Sequence, residues 1–380
     1  MTTMRAAVLR DIGKPMTVEQ VRLDAPGRGE VLVRVAAAGV CHSDLLFAEG
    51  GLGRERLPIV LGHEGAGVVE AVGQGVSQVT PGDHVAFSIV PFCGKCRACR
   101  NGEVTLCEPA GEYAWRGTML DGTVRLHSAD GSDIKHFNYV SCFAEYAVVP
   151  EASAVPIPRE LPLWEAALVG CGVITGSGAV RNVAKVKPGE SVCVIGCGGV
   201  GLQVIAAAKL AGAGRIIAVD RSQEKLDRAR AMGATDGVDA SHDGAVGRIR
   251  ELSDGGVDHA IEVVGIAATI RQAWDVLRPG ATAVVVGLAP RGLEVSIPAI
   301  ELLSAKGLKG CYYGSGNPRT DIPALAQLVV EGRLPLREVV SDFTDLEGID
   351  AAFDRLRRGV GARTIVVIDR TLTGALPQVG

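Results

Sequence analysis

Six of the ten cysteines and one of the seven histidines in this chain fall into two groups of metal-ligand type. Cys93, Cys96, Cys99 and Cys107 follow a C-x2-C-x2-C-x7-C spacing within one short segment. Four thiolates this close match a closed tetrahedral zinc site of the structural kind, with no vacancy for a substrate. Residues 91–108 carry little apolar material, so metal coordination is a source of their order. A nucleic-acid zinc ribbon has similar spacing, but Lys95, Arg97 and Arg100 are too few to make a basic reading surface. Cys41, His63 and Cys171 stand far apart, and on spacing alone they mean little, since a lone cysteine on an apolar strand is usually a buried hydrophobe. Their neighbours raise the interest: Cys41-His42-Ser43-Asp44 and Gly62-His63-Glu64-x2-Gly67 gather polar groups where strands give way to turns. Three protein ligands leave zinc's fourth position for water or substrate, and zinc there lowers the pKa of a bound alcohol, favouring the alkoxide from which hydride leaves.

A hydride acceptor is signalled downstream by Gly196-Cys197-Gly198-Gly199-Val200-Gly201, which follows an apolar run at 191–195 and opens another at 200–211. A GxGxxG alone is weak, because glycines also mark ordinary turns; a strand before it and a helix after it are the confirming context. Gly196 permits the tight turn, Gly198 or Gly199 lets the backbone approach a pyrophosphate, and Gly201 allows close packing of helix on strand. The N–H groups and positive dipole end of that helix then face the phosphates. Asp220 ends the next strand, 19 residues after Gly201. An acidic side chain there accepts from the adenosine ribose hydroxyls and repels a 2′-phosphate, which favours NAD over NADP, although Arg221 beside it offers a phosphate a partner. Cys197 is read as a small residue that fits the loop rather than as a redox switch. A Lewis acid and a hydride carrier on one chain point to dehydrogenation of an alcohol or reduction of a carbonyl.

The elements that must position these groups fall into two textures. Residues 4–9, 30–37, 66–72 and 84–87 are short apolar or alternating runs punctuated by Gly and Pro, which predicts an antiparallel, barrel-like β-rich domain with long loops. From about residue 177 strands at 191–195, 215–220, 257–264 and 281–288 alternate with helices at 200–211, 223–232 and 269–277. That order implies right-handed βαβ crossovers and a doubly wound parallel sheet of Rossmann type. Helices near 322–331 and 346–358 and a strand at 363–369 are read as returning to the first domain. The expected division is therefore 1–176 with 315–380 as the catalytic domain, and 177–314 as the dinucleotide domain. Residues 371–380 have little to bury and are expected to fray.

With 380 residues, two domains are the natural expectation, and 47% hydrophobic with 22% charged residues is ordinary for a globular protein. The net charge of −4 comes without a run of like charge, giving no footprint for nucleic acid or an anionic membrane. Residues 1–10 lack the features of a signal peptide, and no stretch reaches the ~18 consecutive apolar residues of a membrane span, so a cytoplasmic location is the default. Ten cysteines in a chain this size are better explained by metal than by disulfides.

Six motifs in order, Cys41-His42-Ser43-Asp44, the Gly-His-Glu-Gly-Ala-Gly-Val-Val run at 62–69, the four-cysteine loop, Gly170-Cys171-Gly172, the glycine-rich loop and Arg363-Thr364, resemble the zinc-dependent medium-chain alcohol dehydrogenases over nearly the whole chain. The long segment 111–142 is similar to the long-form, class III-like members. The resemblance implies a GroES-like catalytic domain carrying two zinc ions per chain, with Cys41, His63 and Cys171 on the catalytic zinc and the four-cysteine loop on the structural one. It implies that Glu64 sits behind the catalytic metal, that Asp44 hydrogen-bonds the ligating histidine, and that Ser43 contacts the substrate oxygen and starts proton removal. His42 and Arg363 resemble pyrophosphate contacts, Thr175 a neighbour of the nicotinamide, and Lys225 a neighbour of the ribose beside Asp220. Where many animal members end their proton relay in a histidine, this chain has Leu46, so the proton must leave through the ribose hydroxyl and His42 or water. Leu52 and Gly111 stand where the glutathione-dependent formaldehyde dehydrogenases of the family use charged residues, which ranks that activity below oxidation of an uncharged alcohol. By alignment Ile89, Phe143, Leu288 and Tyr312 would line an apolar pocket, suggesting a medium-sized hydrophobic or aromatic alcohol or aldehyde. A homodimer is expected near the strand 281–288, with a small-molecule substrate and neither nucleic acid nor membrane as partner. A zinc-free enoyl or quinone reductase and a non-catalytic binding protein are the rival readings.

Overall fold

The computed structural model describes residues 1–52 and 56–378. The chain divides into two compact units: Met1–Cys171 with Asn317–Gly332 and Val340–Gly380, and Gly172–Gly316 with Arg333–Val339. Against the expected division, the joints lie at 171/172 and 316/317, and a short piece of the C-terminal third belongs with the second unit.

In the first unit the strand Glu30–Gly39 is the organiser. Its sequence, EVLVRVAAAG, is apolar on both faces and almost wholly buried, as suits a strand with neighbours on either side. It pairs antiparallel with Glu64–Val72 and Tyr146–Pro150, and its last residues pair antiparallel with Arg363–Val367. The sheet runs Ala154–Pro156, His84–Phe87, Glu64–Val72, Glu30–Gly39, Arg363–Val367, Val340–Thr344. A second sheet closes on itself through Thr2–Leu9, Thr17–Leu23, Leu126–His127, Asp133–His136 and Ile59–Val60. Most pairs are antiparallel, as expected, and two are parallel, Val340–Thr344 with Arg363–Val367 and Ile59–Val60 with Asp133–His136.

Register brings distant residues together. Gly39 lies opposite Glu64, so Cys41 and His63, which flank that pair, emerge side by side. A Cβ on Gly39 would stand 2.9 Å from the Glu64 Oε2, and one on Gly67 would stand 2.2 Å from the Arg34 carbonyl oxygen; these glycines let the strands close. Arg363 joins the same corner because Val40 N–H donates to the Thr364 carbonyl at 3.0 Å. Cys171 arrives on a helix that begins at Leu163 and widens into a π-helical turn over Val169–Val173. There a Cβ on Gly170 would come within 2.1 Å of the Phe87 carbonyl, so helix and strand approach at backbone distance. The helical run Leu163–Ala184 is apolar and long enough to cross a membrane by length and composition, and 94% of its most apolar 18-residue window is buried inside the protein.

The second unit is a six-stranded parallel sheet in the order Asp236–Asp239, Arg215–Asp220, Ser191–Ile195, Val257–Glu262, Leu277–Val285, Gly307–Gly310. This is the doubly wound sheet the alternation predicts. Two strands escape the reading, Asp236–Asp239 and Gly307–Gly310, because each has four residues and lacks an apolar run. The strand expected at 281–288 is Leu277–Val285, and it is not an edge; Gly307–Gly310 covers it.

Two terminal readings also change. The helix expected near 322 starts at Pro318, where Asn317 Oδ1 accepts from Arg319 N–H at 3.1 Å, an Asn-Pro start signal. The tail expected to fray begins with a short helix, Arg370–Thr373, capped by Asp369, with Thr373 buried; its last residues, 379–380, lie outside the described residues.

Candidate active site and cysteine loop

Cys41 caps the helix His42–Ala48 in extended backbone, which places its sulfur in the corner formed by Gly39 and Glu64. Cys41, His63 and Cys171 are all buried and their ligand atoms lie within 4.8 Å of one another. His63 Nε2 is 3.3 Å from Cys171 Sγ. Zinc bonds of about 2.3 Å to sulfur and about 2.05 Å to nitrogen, at the tetrahedral angle, put S and N about 3.6 Å apart. The donor set therefore fits zinc by kind and by spacing. His63 Nδ1 donates to Asp44 at 3.1 Å, and Gly62 N–H donates to the same carboxylate at 3.0 Å. Asp44 has no exposed surface. That bond leaves Nε2 with the free lone pair, the tautomer a metal ligand needs. Phe137 packs its ring edge-on against the His63 ring with centroids 5.6 Å apart, a contact that no spacing in the sequence signals.

The electrostatics of the corner favour positive charge. A hydrogen bond from Cys171 holds the Cys41 thiol well below its usual range, and the same bond together with burial holds Cys171 well above it. For His63, burial opposes the charged ring, but the Asp44 carboxylate and Cys41 outweigh it and raise the imidazole above its ordinary value. Arg363, expected as an arm for the cofactor, is itself buried here: Nη1 donates to the Val40 carbonyl at 3.1 Å, and Nη2 stands 3.5 Å from Glu64 Oε2. Glu64 thus sits behind the ligand cluster against a guanidinium. Ser43 is half-buried with its hydroxyl 3.9 Å from Cys41 Sγ, and His42 beside it is exposed. Leu46 packs toward Gly51, where a Cβ would meet its Cδ1 at 2.4 Å.

The four-cysteine loop also closes. Cys96 and Cys107 sulfurs are 4.0 Å apart, against about 3.8 Å for two thiolates on one tetrahedral zinc. Cys93 N–H donates to Cys107 Sγ and Cys96 N–H to Cys93 Sγ, each at 3.3 Å. Backbone N–H groups of Cys99 and Glu108 lower the Cys96 thiol to about 6, whereas burial pushes Cys99 up to about 12. All four thiols converge, and N–H donors aimed at sulfur are what thiolate ligands require.

In the second unit the glycine-rich loop leaves Ser191–Ile195 where the strand order reverses, the usual ligand crevice of such sheets. Gly196 has φ +97°, and a Cβ on Gly201 would lie 1.9 Å from the Gly196 carbonyl oxygen. Gly198 faces open space, and Gly199 and Val200 begin the helix Gly199–Leu210. Asp220 Oδ2 accepts from Cys197 N–H at 2.8 Å, while Oδ1 accepts from Arg221 and Ser222 N–H at 2.8 and 3.1 Å. The carboxylate is thereby locked to the loop. Lys225 is half-buried close by. Thr175 is half-buried on the helix Ile174–Gly178, which meets Gly199–Leu210 so closely that a Cβ on Gly176 would fall 2.7 Å from the Gln203 Cβ.

The expected pocket residues do not share one environment. Phe143 is a core residue with no exposed surface, its ring 6.3 Å from that of Phe353 and hard against Gly62; the pocket reading is corrected there. Ile89 is partly buried against the same core. Leu288 and Tyr312, in the second unit, are 44% and 52% exposed.

Comparison with known proteins decides the family. Residues 27–159 match the model of the alcohol dehydrogenase GroES-like domain, and residues 199–331 that of the zinc-binding dehydrogenases. The chain belongs to the zinc-dependent medium-chain alcohol dehydrogenases. It is 39% identical over 365 residues to an S-(hydroxymethyl)glutathione dehydrogenase of Synechocystis, covering 95% of this chain and 99% of the relative. A Saccharomyces cerevisiae protein of the same name is 38% identical over 370 residues, covering 96% of each. Among solved structures, benzyl alcohol dehydrogenase from Acinetobacter calcoaceticus superposes with a TM-score of 0.92 at 34% identity, over 97% of this chain and all of the other. As a member of this family the protein is an NAD(P)-dependent oxidoreductase of the alcohol dehydrogenase type, and the Cys41/His63/Cys171 cluster and the cysteine loop are its candidate zinc centres.

Proposed function

We propose that the protein oxidises an uncharged, hydrophobic or aromatic primary alcohol to its aldehyde, reversibly, with NAD and two zinc ions per chain. The observation that carries this reading is the buried Cys41/His63/Cys171 donor set with Asp44 fixing the His63 ring. Zinc held there would act as a Lewis acid on the substrate oxygen, and NAD held at Gly196–Gly201 would take the hydride. Asp44, by accepting from Nδ1, orients the His63 ring so that Nε2 faces the ligand cluster. Ser43, on the first turn of the helix that Cys41 caps, accepts the hydroxyl proton of the alcohol as it releases its own, and the released proton leaves to water by way of His42, exposed beside it. Arg363 and Glu64 balance charge behind the thiolates. Thr175 would stand at the nicotinamide, with Lys225 and Asp220 at the adenosine ribose. Asp220 is held in place by three backbone donors, so a 2′-phosphate would meet a fixed like charge; this supports NAD over NADP.

Substrate class follows from what is missing as much as from what is present. Leu52 is partly buried against the core and Gly111 carries no side chain, so neither recognises an anionic substrate by charge. The names of the curated relatives favour a second reading, S-(hydroxymethyl)glutathione as substrate. NADH formation measured over a panel of aliphatic, aromatic and terpene alcohols, with and without glutathione and with NADP in place of NAD, separates the two. We expect the highest kcat/KM for an aromatic alcohol with NAD and no glutathione requirement. Saturable activity that depends on glutathione, or equal rates with NADP, would overturn the assignment. The cytoplasm is the proposed location. A homodimer is proposed through the free edge of Gly307–Gly310, beside which Ile300 and Leu303 are 72% and 82% exposed; sedimentation equilibrium tests it.

A further inference from the structure

Glu262 is the last residue of Val257–Glu262, the strand next to the one that launches the glycine-rich loop. A glutamate with no exposed surface at the end of a sheet strand is costly unless its charge is engaged. Its Oε1 accepts three bonds: from Val264 N–H at 2.8 Å, Gly265 N–H at 2.7 Å and the Thr269 hydroxyl at 2.8 Å. Its own carbonyl accepts from Val286 N–H at 2.8 Å and Gly287 N–H at 3.1 Å. One residue therefore holds two turns, 263–265 and 286–288, at the carboxyl edge of the sheet.

Both turns press on the dinucleotide loop or on each other. A Cβ on Gly196 would strike Val264 Cγ2 at 2.7 Å and Val263 Cγ2 at 3.1 Å, and one on Gly201 would reach Val263 Cγ2 at 3.2 Å. Gly287 is close enough to Gly265 that a Cβ would lie 2.1 Å from its nitrogen. The path from the carboxylate to the Gly196 turn is thus two residues long and packed throughout. The second oxygen, Oε2, is buried with no hydrogen-bond partner. The three donors need an acceptor, since a buried donor left unpaired is destabilising, but a neutral amide oxygen would supply one without burying a charge. Retaining the carboxylate makes sense if it sets turn geometry.

We propose that Glu262 is a positioning residue for the dinucleotide: by pinning the turn 263–265 it fixes the Gly196 turn in the shape that receives the cofactor. This rests on the assignment of NAD to the glycine-rich loop. Three donors meet one carboxylate oxygen and so favour its charged form against the burial that raises its proton affinity. Losing them frees the 263–265 turn, and the wall beside Gly196 moves with it.

The test is NADH binding by fluorescence titration of purified, zinc-loaded enzyme, with kcat and KM for NAD measured in parallel, for wild type, Glu262→Leu, Glu262→Gln and Thr269→Val. Wild type must bind NADH; if it does not, the cofactor assignment fails before the inference is reached. Given binding, Glu262→Leu is expected to weaken NADH binding about tenfold or more, as expected for one or more lost charged bonds. Its melting temperature should fall, because three donors lose their acceptor, and in the folded enzyme KM for NAD should rise by a larger factor than kcat falls. Glu262→Gln, which keeps an accepting oxygen, should recover most of the loss, and Thr269→Val should show a small effect of the same sign. If Glu262→Leu fails to fold, the Gln and Val variants carry the test. A folded Glu262→Leu or Thr269→Val variant that binds NADH as tightly as wild type would overturn the proposal, as would a Gln variant no better than Leu.

Discussion

Replacing Asp44 with Asn tests whether the His63 ring is held for a metal. Asp44 accepts from His63 Nδ1 at 3.1 Å and from Gly62 N–H at 3.0 Å, with no exposed surface. The substitution keeps the volume and removes the charge. If the amide oxygen faces Nδ1, a charged acceptor becomes a neutral one; if the amide nitrogen faces it, the ring must shift its proton to Nε2 and lose the lone pair a metal uses. A hydrogen bond to a charged group is worth about 1.5–3 kcal/mol, which corresponds to about 10- to 150-fold in an equilibrium constant. Carboxylates behind ligating histidines alter metal affinity by roughly 10- to 100-fold when mutated, in agreement. The assay is competition for zinc against a chelator of known affinity, with metal counted per chain. The four-cysteine loop, on a separate segment, serves as the internal control. The expected result is one zinc lost at about 10- to 100-fold lower chelator concentration than in wild type, while the other is retained. Loss of both together, or a shift below about twofold, would refute the reasoning.

Three further outcomes follow. Ser43→Ala should lower kcat by about 100-fold, the scale of a lost proton-transfer group, while the affinity for NADH measured by titration stays within about twofold. Burial, with the Asp220 charge added, pushes the Cys197 thiol up to about 12, so it carries no thiolate near neutral pH. Iodoacetamide at pH 8 should leave Cys197 unmodified by mass spectrometry in the native enzyme, and selective labelling there would contradict the packing. His136 is buried, accepts from Arg125 N–H at 2.9 Å, and is pushed down to about 3 by burial. The unfolded chain takes up that proton near pH 6.5 and the native state does not, so stability is full above pH 6.5 and falls as pH drops toward 3. The swing has an upper bound of about 5 kcal/mol, and His136→Gln should flatten the pH dependence of unfolding free energy between pH 6.5 and 4 by up to about one proton.

How much of this was legible beforehand depends on the kind of signal. Runs with their own local pattern were readable: His84–Phe87, Ser191–Ile195, Arg215–Asp220 and Gln223–Met232 are apolar or amphipathic over their full length and bounded by turn residues. The four-cysteine loop was readable because its ligands are adjacent. Cys41, His63 and Cys171 needed the family motifs, since what unites them is the register of Gly39 against Glu64 and the close approach of Gly170 to Phe87. Neither is visible in spacing. Asp236–Asp239 and Gly307–Gly310 are strands only because the sheet edge supplies partners, and their polar, glycine-bearing sequences carry no strand pattern of their own. Phe143 was assigned by alignment to a pocket, but its neighbours Gly62 and Phe353 draw it into the core. Glu262 had no sequence signature: one acidic residue after an apolar run looks like the end of a strand, and only the three converging donors distinguish it.

The central claim is that Cys41, His63 and Cys171 hold a zinc on which turnover depends. Zinc per chain, counted by mass spectrometry in wild type and in Cys171→Ser, alongside NADH formation from benzyl alcohol by the same preparations, tests it most directly. Two zinc ions in wild type and one in the variant, with turnover lost together with the second ion, is the predicted result. A wild type that turns over with only one zinc, or a Cys171→Ser enzyme that keeps both its activity and two zinc ions, would contradict it.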